Sequence, residues 1–384
     1  MNKETIKNLI VENQGRMPFN LCDRKKNIHL KSDQIVTIIG LRRTGKTYFL
    51  YQIINKLLEQ GTSKEKIIYI NFEDERLEFR KETLQLILDS YYEMYPRNID
   101  EKIYLFFDEI QVVDGWELFV RRLHESKKYK IYITGSSSKL LSKEISTSLR
   151  GRAISEHIYP LSFSEILEYK GIKISKETKY SKYKYEIKKL LEEYKLWGGF
   201  FEIIDAVDTE DKRKIAQSYL DLIIYKDIID RYSIKNIELL KYLIKYFITN
   251  TGNKISLNKI YESIKQKMPS SKDAIANYAS FLLDVGFLID LKKYDPSLKK
   301  QNIPSKYYVI DPVFKTIFGH NITTDKGQIL ENIVLIELYK SEKEIYFSEL
   351  DEKECDFLIK ENNSIIQAIQ GLRDKWTGHK FLRK

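Results

Sequence analysis

At 384 residues the chain is too long for a single average core, and two to four domains are expected. Its 42% hydrophobic content excludes wholesale disorder; 65 Lys+Arg against 55 Asp+Glu, a net +10, admits an acidic partner such as nucleic acid without demanding one, because a Lys- and Glu-rich surface is also typical of heat-adapted proteins. Two distant cysteines, Cys22 and Cys355, exclude a disulfide framework or a CxxC metal site, and no uncharged run approaches the ~18 residues of a membrane span, so a soluble cytoplasmic protein with no membrane partner is expected.

Residues 1–34 mix charge with short apolar pieces and are expected to pack beside the motif that follows. Ile35, Val36, Thr37, Ile38 and Ile39 form an apolar, β-branched run that reads as a buried strand. It delivers Gly40-Leu41-Arg42-Arg43-Thr44-Gly45-Lys46-Thr47, a full match to GxxxxGK[ST]. The two glycines allow a tight loop whose N–H groups converge on phosphate oxygens, aided by the N-terminus of the helix that begins near Lys46. In that geometry Lys46 reaches the β- and γ-phosphates and Thr47 ligates Mg²⁺, so ATP and Mg²⁺ are the expected cofactors. Tyr48, Phe49, Leu50, Ile53, Ile54, Leu57 and Leu58 recur at helical spacing, and Gly61 with Thr62 stops the helix.

A second buried strand, Ile67 to Phe72, runs into the acidic cluster Glu73-Asp74-Glu75-Arg76, which fits either the ligand side of an open α/β sheet or a solvated loop. The third strand, Ile103 to Phe107, ends in Asp108-Glu109. Mg²⁺ beside Thr47 needs a hard oxygen partner, the role of Asp108, and Glu109 is then placed to orient and polarise the attacking water. A helix with Trp116, Leu118, Phe119 and Leu123 follows, then a fourth strand from Lys130 that ends in Thr134-Gly135-Ser136-Ser137-Ser138. The hydroxyls of Thr134 and Ser136 are candidates to bond the lytic water or the γ-phosphate, although Gly-Ser-Ser-Ser is also a generic turn. Arg150 and Arg152 precede a fifth short strand near Glu156 to Tyr159. Either can supply positive charge to a phosphoryl-transfer transition state, in cis or across a homo-oligomer boundary, or be a surface charge.

With both acids after the third strand and a strand between the two nucleotide motifs, the first 160 residues resemble the additional-strand P-loop ATPases of the AAA+ type. The order GLRRTGKT, YINFED, LFFDEIQ, TGSSS, LRGR, YPLSFSE resembles one family in particular: prokaryotic, notably archaeal, AAA ATPases with a C-terminal domain of unknown function. That resemblance implies an α/β fold with a P-loop NTPase of AAA+-like parallel sheet (1–160), a helical lid (161–233), a winged-helix domain (234–318) and a degenerate, truncated α/β nuclease-like domain (319–384). Leu191 to Glu202 (LEEYKLWGGFFE) resembles the family's glycine-pair motif, and Tyr219 to Tyr232 the helix after it, where Tyr225, Asp227 and Arg231 read as packing residues, with a catalytic role as the alternative.

Between Ile234 and Phe318 three helices precede a hairpin, with Ser271 as an N-cap and Gly286 as a stop. The hairpin loop carries Lys292, Lys293, Lys299, Lys300 and Lys306. As a wing it can contact DNA phosphates, with Lys272 and Asn277 facing a groove, while a protein partner suits the same fold. In the last segment Glu331 and Asp356 match the metal ligands of a PD-(D/E)xK nuclease core, but Gln370 and Leu372 stand where the third acid and the lysine belong. Nuclease chemistry is therefore not expected. The tail Gly371 to Lys384 departs from the family and reads as truncated. The expected function is an Mg²⁺-dependent ATPase that couples nucleotide state to DNA or a protein; the alternatives are an ATP-gated nuclease and an ATP-binding switch with little turnover.

Overall fold

Short β-branched runs alternating with helical-period segments give parallel βα units, because a parallel pair needs a crossover long enough to hold a helix. The computed structural model describes residues 2–77, 81–136, 149, 151–173, 183–295, 305–318, 326–350, 353–362, 364–372 and 375–379. It divides into two compact units, 1–158 and 159–384. Among the described residues no helix is long and apolar enough to cross a membrane.

In the first unit α1 (Lys3–Gly15) precedes β1 (Ile35–Gly40), α2 (Lys46–Glu59), β2 (Ile67–Asn71), α3 (Lys81–Met94), β3 (Ile103–Asp108), α4 (Trp116–Glu125), β4 (Tyr129–Ser136) and β5 (Ala153–His157). The strands form one parallel sheet in the order β2-β3-β4-β1-β5, so β4 lies between the strand that feeds the phosphate loop and the strand that ends in the acids. The fifth strand starts three residues earlier than its apolar residues suggest, because the pairing of Ala153 with Ile35 sets its register. Successive residues face opposite sides: Ile35 and Ile39 pack with α1, α3 and α4, while Val36 and Ile38 pack with Phe49, Leu50, Ile53 and Ile54 of α2. Only part of the N-terminal segment reaches the phosphate loop. Helix α1 instead covers the outer edge of β2, where Asn13 donates to the Tyr69 carbonyl (3.1 Å) and Gln14 to that of Ile67 (3.2 Å), satisfying acceptors that an edge strand leaves open.

The second unit begins with α5 (Phe163–Tyr169), capped by a reciprocal Ser162–Glu165 box, then α6 (Lys184–Trp197), α7 (Phe201–Asp205) and α8 (Thr209–Leu222). The chain continues from α8 through a π-helical stretch, Ile223–Ile229, in which Asp227 is buried and Tyr225 half-exposed. Next come α9 (Ile237–Thr249), β6 (Lys254–Ile255), α10 (Leu257–Ile264), α11 (Lys272–Asp284), β7 (Leu288–Leu291) and β8 (Ser305–Val309), with the strands antiparallel in the order β6-β8-β7. Ser271 caps α11 by accepting from the Ala274 N–H (3.0 Å). Two short and long helices, α12 (Val313–Ile317) and α13 (Lys326–Tyr339), lead to an antiparallel sheet in the order β12-β11-β10-β9, built from β9 (Glu344–Leu350), β10 (Lys353–Glu361), β11 (Ser364–Leu372) and β12 (Lys375–His379).

The chain leaving β7 does not project freely. Tyr294 N–H bonds to the Phe347 carbonyl (2.7 Å) and Phe347 N–H to that of Lys292 (3.0 Å), which ties the base of the hairpin loop to β9. This corrects the reading of the loop lysines as one phosphate-binding set. Lys293 pairs with Glu349 (2.8 Å), and the Lys306 side chain, at 4% exposure, pairs with Glu331 (3.1 Å) and Glu354. Lys292 remains exposed, whereas Lys299 and Lys300 lie outside the described residues.

The glycine pair has a steric origin. A Cβ on Gly198, whose φ is +68°, would lie 1.6 Å from Asp311 Oδ1, and one on Gly199 would lie 2.1 Å from the Leu161 carbonyl oxygen. Removing both side chains lets the Gly199 N–H donate to Asp311 Oδ2 (2.8 Å), while Oδ1 accepts from Val313 N–H (2.9 Å). Burial raises the Asp311 carboxyl to about 7, against the pull of those two N–H donors. A folded-state pKa raised from 3.8 means that the native state binds this proton more tightly than the unfolded chain, so the stability it confers is full below pH 3.8 and lost as pH rises through about 7. In melting curves taken from pH 4 to 9, the wild type is therefore expected to lose stability relative to Asp311→Asn across that window and to run parallel to it above pH 8. A difference independent of pH would show that Asp311 does not titrate there.

Candidate nucleotide-binding site

The loop between β1 and α2 closes as the spacing of its glycines requires. A Cβ on Gly40 would stand 2.2 Å from the Ile158 carbonyl oxygen, so only glycine lets β1 turn there. Gly45, at φ +95°, is the N-cap of α2 and gives that helix no side-chain cap, which leaves its first N–H groups to an outside acceptor. Thr44 closes the loop on itself by donating its hydroxyl to the Leu41 carbonyl (2.8 Å). Lys46 is buried, donates to the same carbonyl (3.3 Å) and lies 3.5 Å from Glu109 Oε1. Arg42 pairs with Glu73 (3.3 Å), which places that acid beside the loop, while Asp74 is held by Arg76 (2.8 Å).

Asp108 is 1% exposed at the end of β3. Its Oδ2 accepts from the Thr47 hydroxyl (2.7 Å) and the Tyr69 hydroxyl (2.9 Å), and its Oδ1 from the Thr134 hydroxyl. Burial and then the neighbouring Glu109 raise its pKa, and the three hydroxyl donors oppose the rise. Glu109 sits in the left-handed region (φ +55°), its N–H bonded to Thr134 Oγ1 (2.9 Å) and its carboxylate to the Gln111 amide. Burial pushes the Glu109 carboxyl up, but Lys46, the Gln111 amide and Arg42 bring it below the ordinary glutamate value, so it is an anion. A threonine hydroxyl and a carboxylate in contact fit a hard divalent cation, and the uncapped start of α2 with Lys46 fits a polyphosphate.

Gly40 to Thr47, Asp108, Glu109 and Thr134 are thus brought together at the carboxyl ends of β1, β3 and β4. The Thr134 hydroxyl is engaged by the Asp108 carboxylate and the Glu109 N–H rather than standing open toward the loop. The backbone of Ser136 pairs with Gly40, but its side chain lies outside the described residues, as does Arg150. For Arg152 the reading in cis is corrected. It directly precedes β5, which runs parallel to β1 with Ala153 beside Ile35, so it lies at the opposite end of the sheet from Gly40 and pairs with Glu125 (3.1 Å). It cannot reach this site within its own chain.

Two residues escape the motif reading. Tyr69 sits in an apolar strand, where a buried phenol needs a partner, and its partner is Asp108. Arg24 is buried and donates to the Thr44 carbonyl of the loop (2.9 Å). It is delivered by a strap without regular structure whose backbone is held by side-chain amides of α2. Gln52 accepts from Arg24 N–H (2.8 Å) and donates to its carbonyl (3.0 Å), and Asn55 does the same for Phe19 (2.9 and 2.8 Å).

The AAA domain family matches residues 32–167, and the Domain of unknown function DUF8612 matches residues 188–315. Uncharacterized protein MJ1544 of Methanocaldococcus jannaschii is 41% identical over 364 residues, which cover 92% of this chain and 78% of that protein. A protein of Haemophilus influenzae is 33% identical over 339 residues, covering 87% of this chain and 82% of its own. Among solved structures, the Walker-type ATPase PABY2304 of Pyrococcus abyssi is similar with a TM-score of 0.45 and 15% identity, over 82% of this chain and 95% of that one. The AAA-type P-loop domain supports ATP binding. With that domain followed by DUF8612, the chain belongs to the family of these M. jannaschii and H. influenzae proteins.

Proposed function

We propose that the protein binds ATP with Mg²⁺ and hydrolyses it, using nucleotide state to act on a macromolecular partner. The observation that carries this reading is the convergence of Lys46, Thr47, Asp108 and Glu109, with the Thr134 hydroxyl bonded to the Asp108 carboxylate and to the Glu109 backbone N–H. When bound, Mg²⁺-ATP supplies a γ-phosphorus open to water, with ADP as the leaving group. Lys46 binds the phosphates and neutralises their charge. Thr47 and Asp108 offer oxygens to the cation. Glu109, an anion set apart from Asp108 by its left-handed turn, accepts the proton of the attacking water and orients it. Arg24 donates to the loop carbonyl of Thr44 and so helps to position the loop before nucleotide arrives. The helices at 161–233 act as a lid in this reading, and the 234–318 segment as a winged helix.

Lys46→Ala is expected to abolish binding of a fluorescent ATP analogue. Glu109→Gln should retain binding while phosphate release falls by about 10²-fold or more, the usual contribution of a positioned base. Equal release rates for Glu109→Gln and wild type would remove Glu109 from the role of base.

Arg24→Met should weaken ATP affinity by roughly tenfold, the scale of one charge-assisted hydrogen bond, while turnover at saturating ATP stays within a few-fold of wild type. Equal affinity in a binding titration would reduce the strap to packing.

For the partner, DNA is favoured by the exposed Lys272 and Asn277 of α11 and by Lys292. If these lysines touch phosphates, Lys272→Glu with Lys292→Glu should lower the log–log salt slope of duplex binding by about 1.8, at ~0.9 for each lost contact. An unchanged slope by fluorescence anisotropy would turn attention to a protein partner.

A further inference from the structure

Three acids gather where β8, α13 and β10 meet in the second unit: Glu331, Glu354 and Asp356. Two of them occupy the positions where the resemblance to a PD-(D/E)xK core implies ligands to Mg²⁺. Such an ion needs near-octahedral oxygen ligands with open lone pairs. Glu331 Oε1 instead accepts from Lys306 Nζ (3.1 Å) and from the Tyr308 hydroxyl (2.5 Å), two donors on the same face of β8. Glu354 pairs with Lys306 through one oxygen and with Lys254 of β6 through the other (2.9 Å). Asp356 Oδ2 accepts from Gly371 N–H (2.7 Å) and the Gln370 amide (3.1 Å), so the amide at the third-acid position acts as a donor where a carboxylate would repel. Lys306 lies 5.6 Å from the centre of the Phe347 ring, and Lys254 lies 5.7 Å from it. The ring thus faces both ammonium groups. The residues present do not fit the metal, because an enclosed ammonium already stands among the acids and would repel a divalent ion.

We propose that Lys306 is the resident cation of this centre, a covalently tethered counter-ion in the place of a divalent metal that fastens β8 to α13 and β10. The centre is then metal-free and has no activated water for nuclease chemistry. This inference does not depend on the ATP reading. It also predicts a latent site: with the ammonium removed, Glu331 and Glu354 each lose a donor and the three carboxylates gain one further unit of uncompensated negative charge, the conditions for holding a divalent ion.

The test uses the full chain carrying Asp108→Asn, without nucleotide, so that the acid beside Thr47 does not contribute. Manganese is titrated by calorimetry and followed by thermal melting. The parent is expected to show no saturable Mn²⁺ uptake and no shift in melting. Lys306→Met should melt lower, bind one Mn²⁺, and recover by about 3 °C or more at saturating ion; Glu331→Gln added to it should abolish the uptake and raise the ion-free melting temperature, because an uncompensated buried carboxylate is gone. If Lys306→Met does not fold alone, its refolding yield with and without Mn²⁺ gives the same reading. Saturable Mn²⁺ binding by the parent that disappears in Asp356→Asn would overturn the proposal. So would a Lys306→Met protein indifferent to Mn²⁺ in both binding and refolding.

Discussion

A carboxylate with 1% exposure is the constraint around which the first unit is arranged. An unpartnered charge at that depth is prohibitively unfavourable, and Asp108 persists because three hydroxyls from three different elements converge on it: Thr47 from α2, Tyr69 from β2 and Thr134 from β4. The sheet order follows from the same requirement. Placing β4 between β1 and β3 puts Thr134 beside Asp108 while α2 brings Thr47 across from β1. Thr134 then does a second task, accepting the Glu109 N–H and so stabilising the left-handed turn that sends the Glu109 carboxylate back toward Lys46. A change of register in β4 would undo both contacts at once.

The phosphate loop is held from outside as well as by its own glycines. A strap with no ladder of its own has backbone groups that need partners, and Gln52 and Asn55 supply them as pairs, each amide serving one residue's N–H and carbonyl. Because both amides project from α2, the helix that begins at Lys46, the strap and the loop form one fixed frame. Arg24 closes that frame onto Thr44. A loop fixed in this way loses less conformational entropy when it closes on a ligand, which is the physical content of preorganisation.

What the sequence made legible was local. The phosphate loop, the strand that ends in Asp108 and Glu109, and the N-cap at Ser271 each depend on residues within about ten positions, and spacing reads them directly. What it hid was long-range pairing. Tyr69 meets Asp108, Arg24 meets Thr44 and Lys306 meets Glu331 across stretches with no fixed spacing. The reading of Arg152 in cis fails for a different reason. A residue immediately before a parallel strand lies at the amino end of the sheet, away from a loop at the carboxyl end, so topology excluded what sequence proximity suggested. The lysines around the hairpin loop mislead for a related reason, since composition counts charge but does not say which charges face inward. Lys293 and Lys306 face Glu349 and Glu331.

Asp108 and Glu331 are therefore held in two chemically different ways, and the difference lies in the donors. At Asp108 the donors from Thr47, Tyr69 and Thr134 are neutral hydroxyls, which stabilise the carboxylate without cancelling its charge. At Glu331 one donor is an ammonium that cannot leave, so a cation fixed by the fold already stands where an incoming ion would have to sit. Asp108 is the more deeply enclosed of the two, with 1% exposure against 16% for the Glu331 side chain. Whether a cluster of acids can become a metal site is thus decided less by how many carboxylates it contains than by whether their protein donors are neutral and able to move.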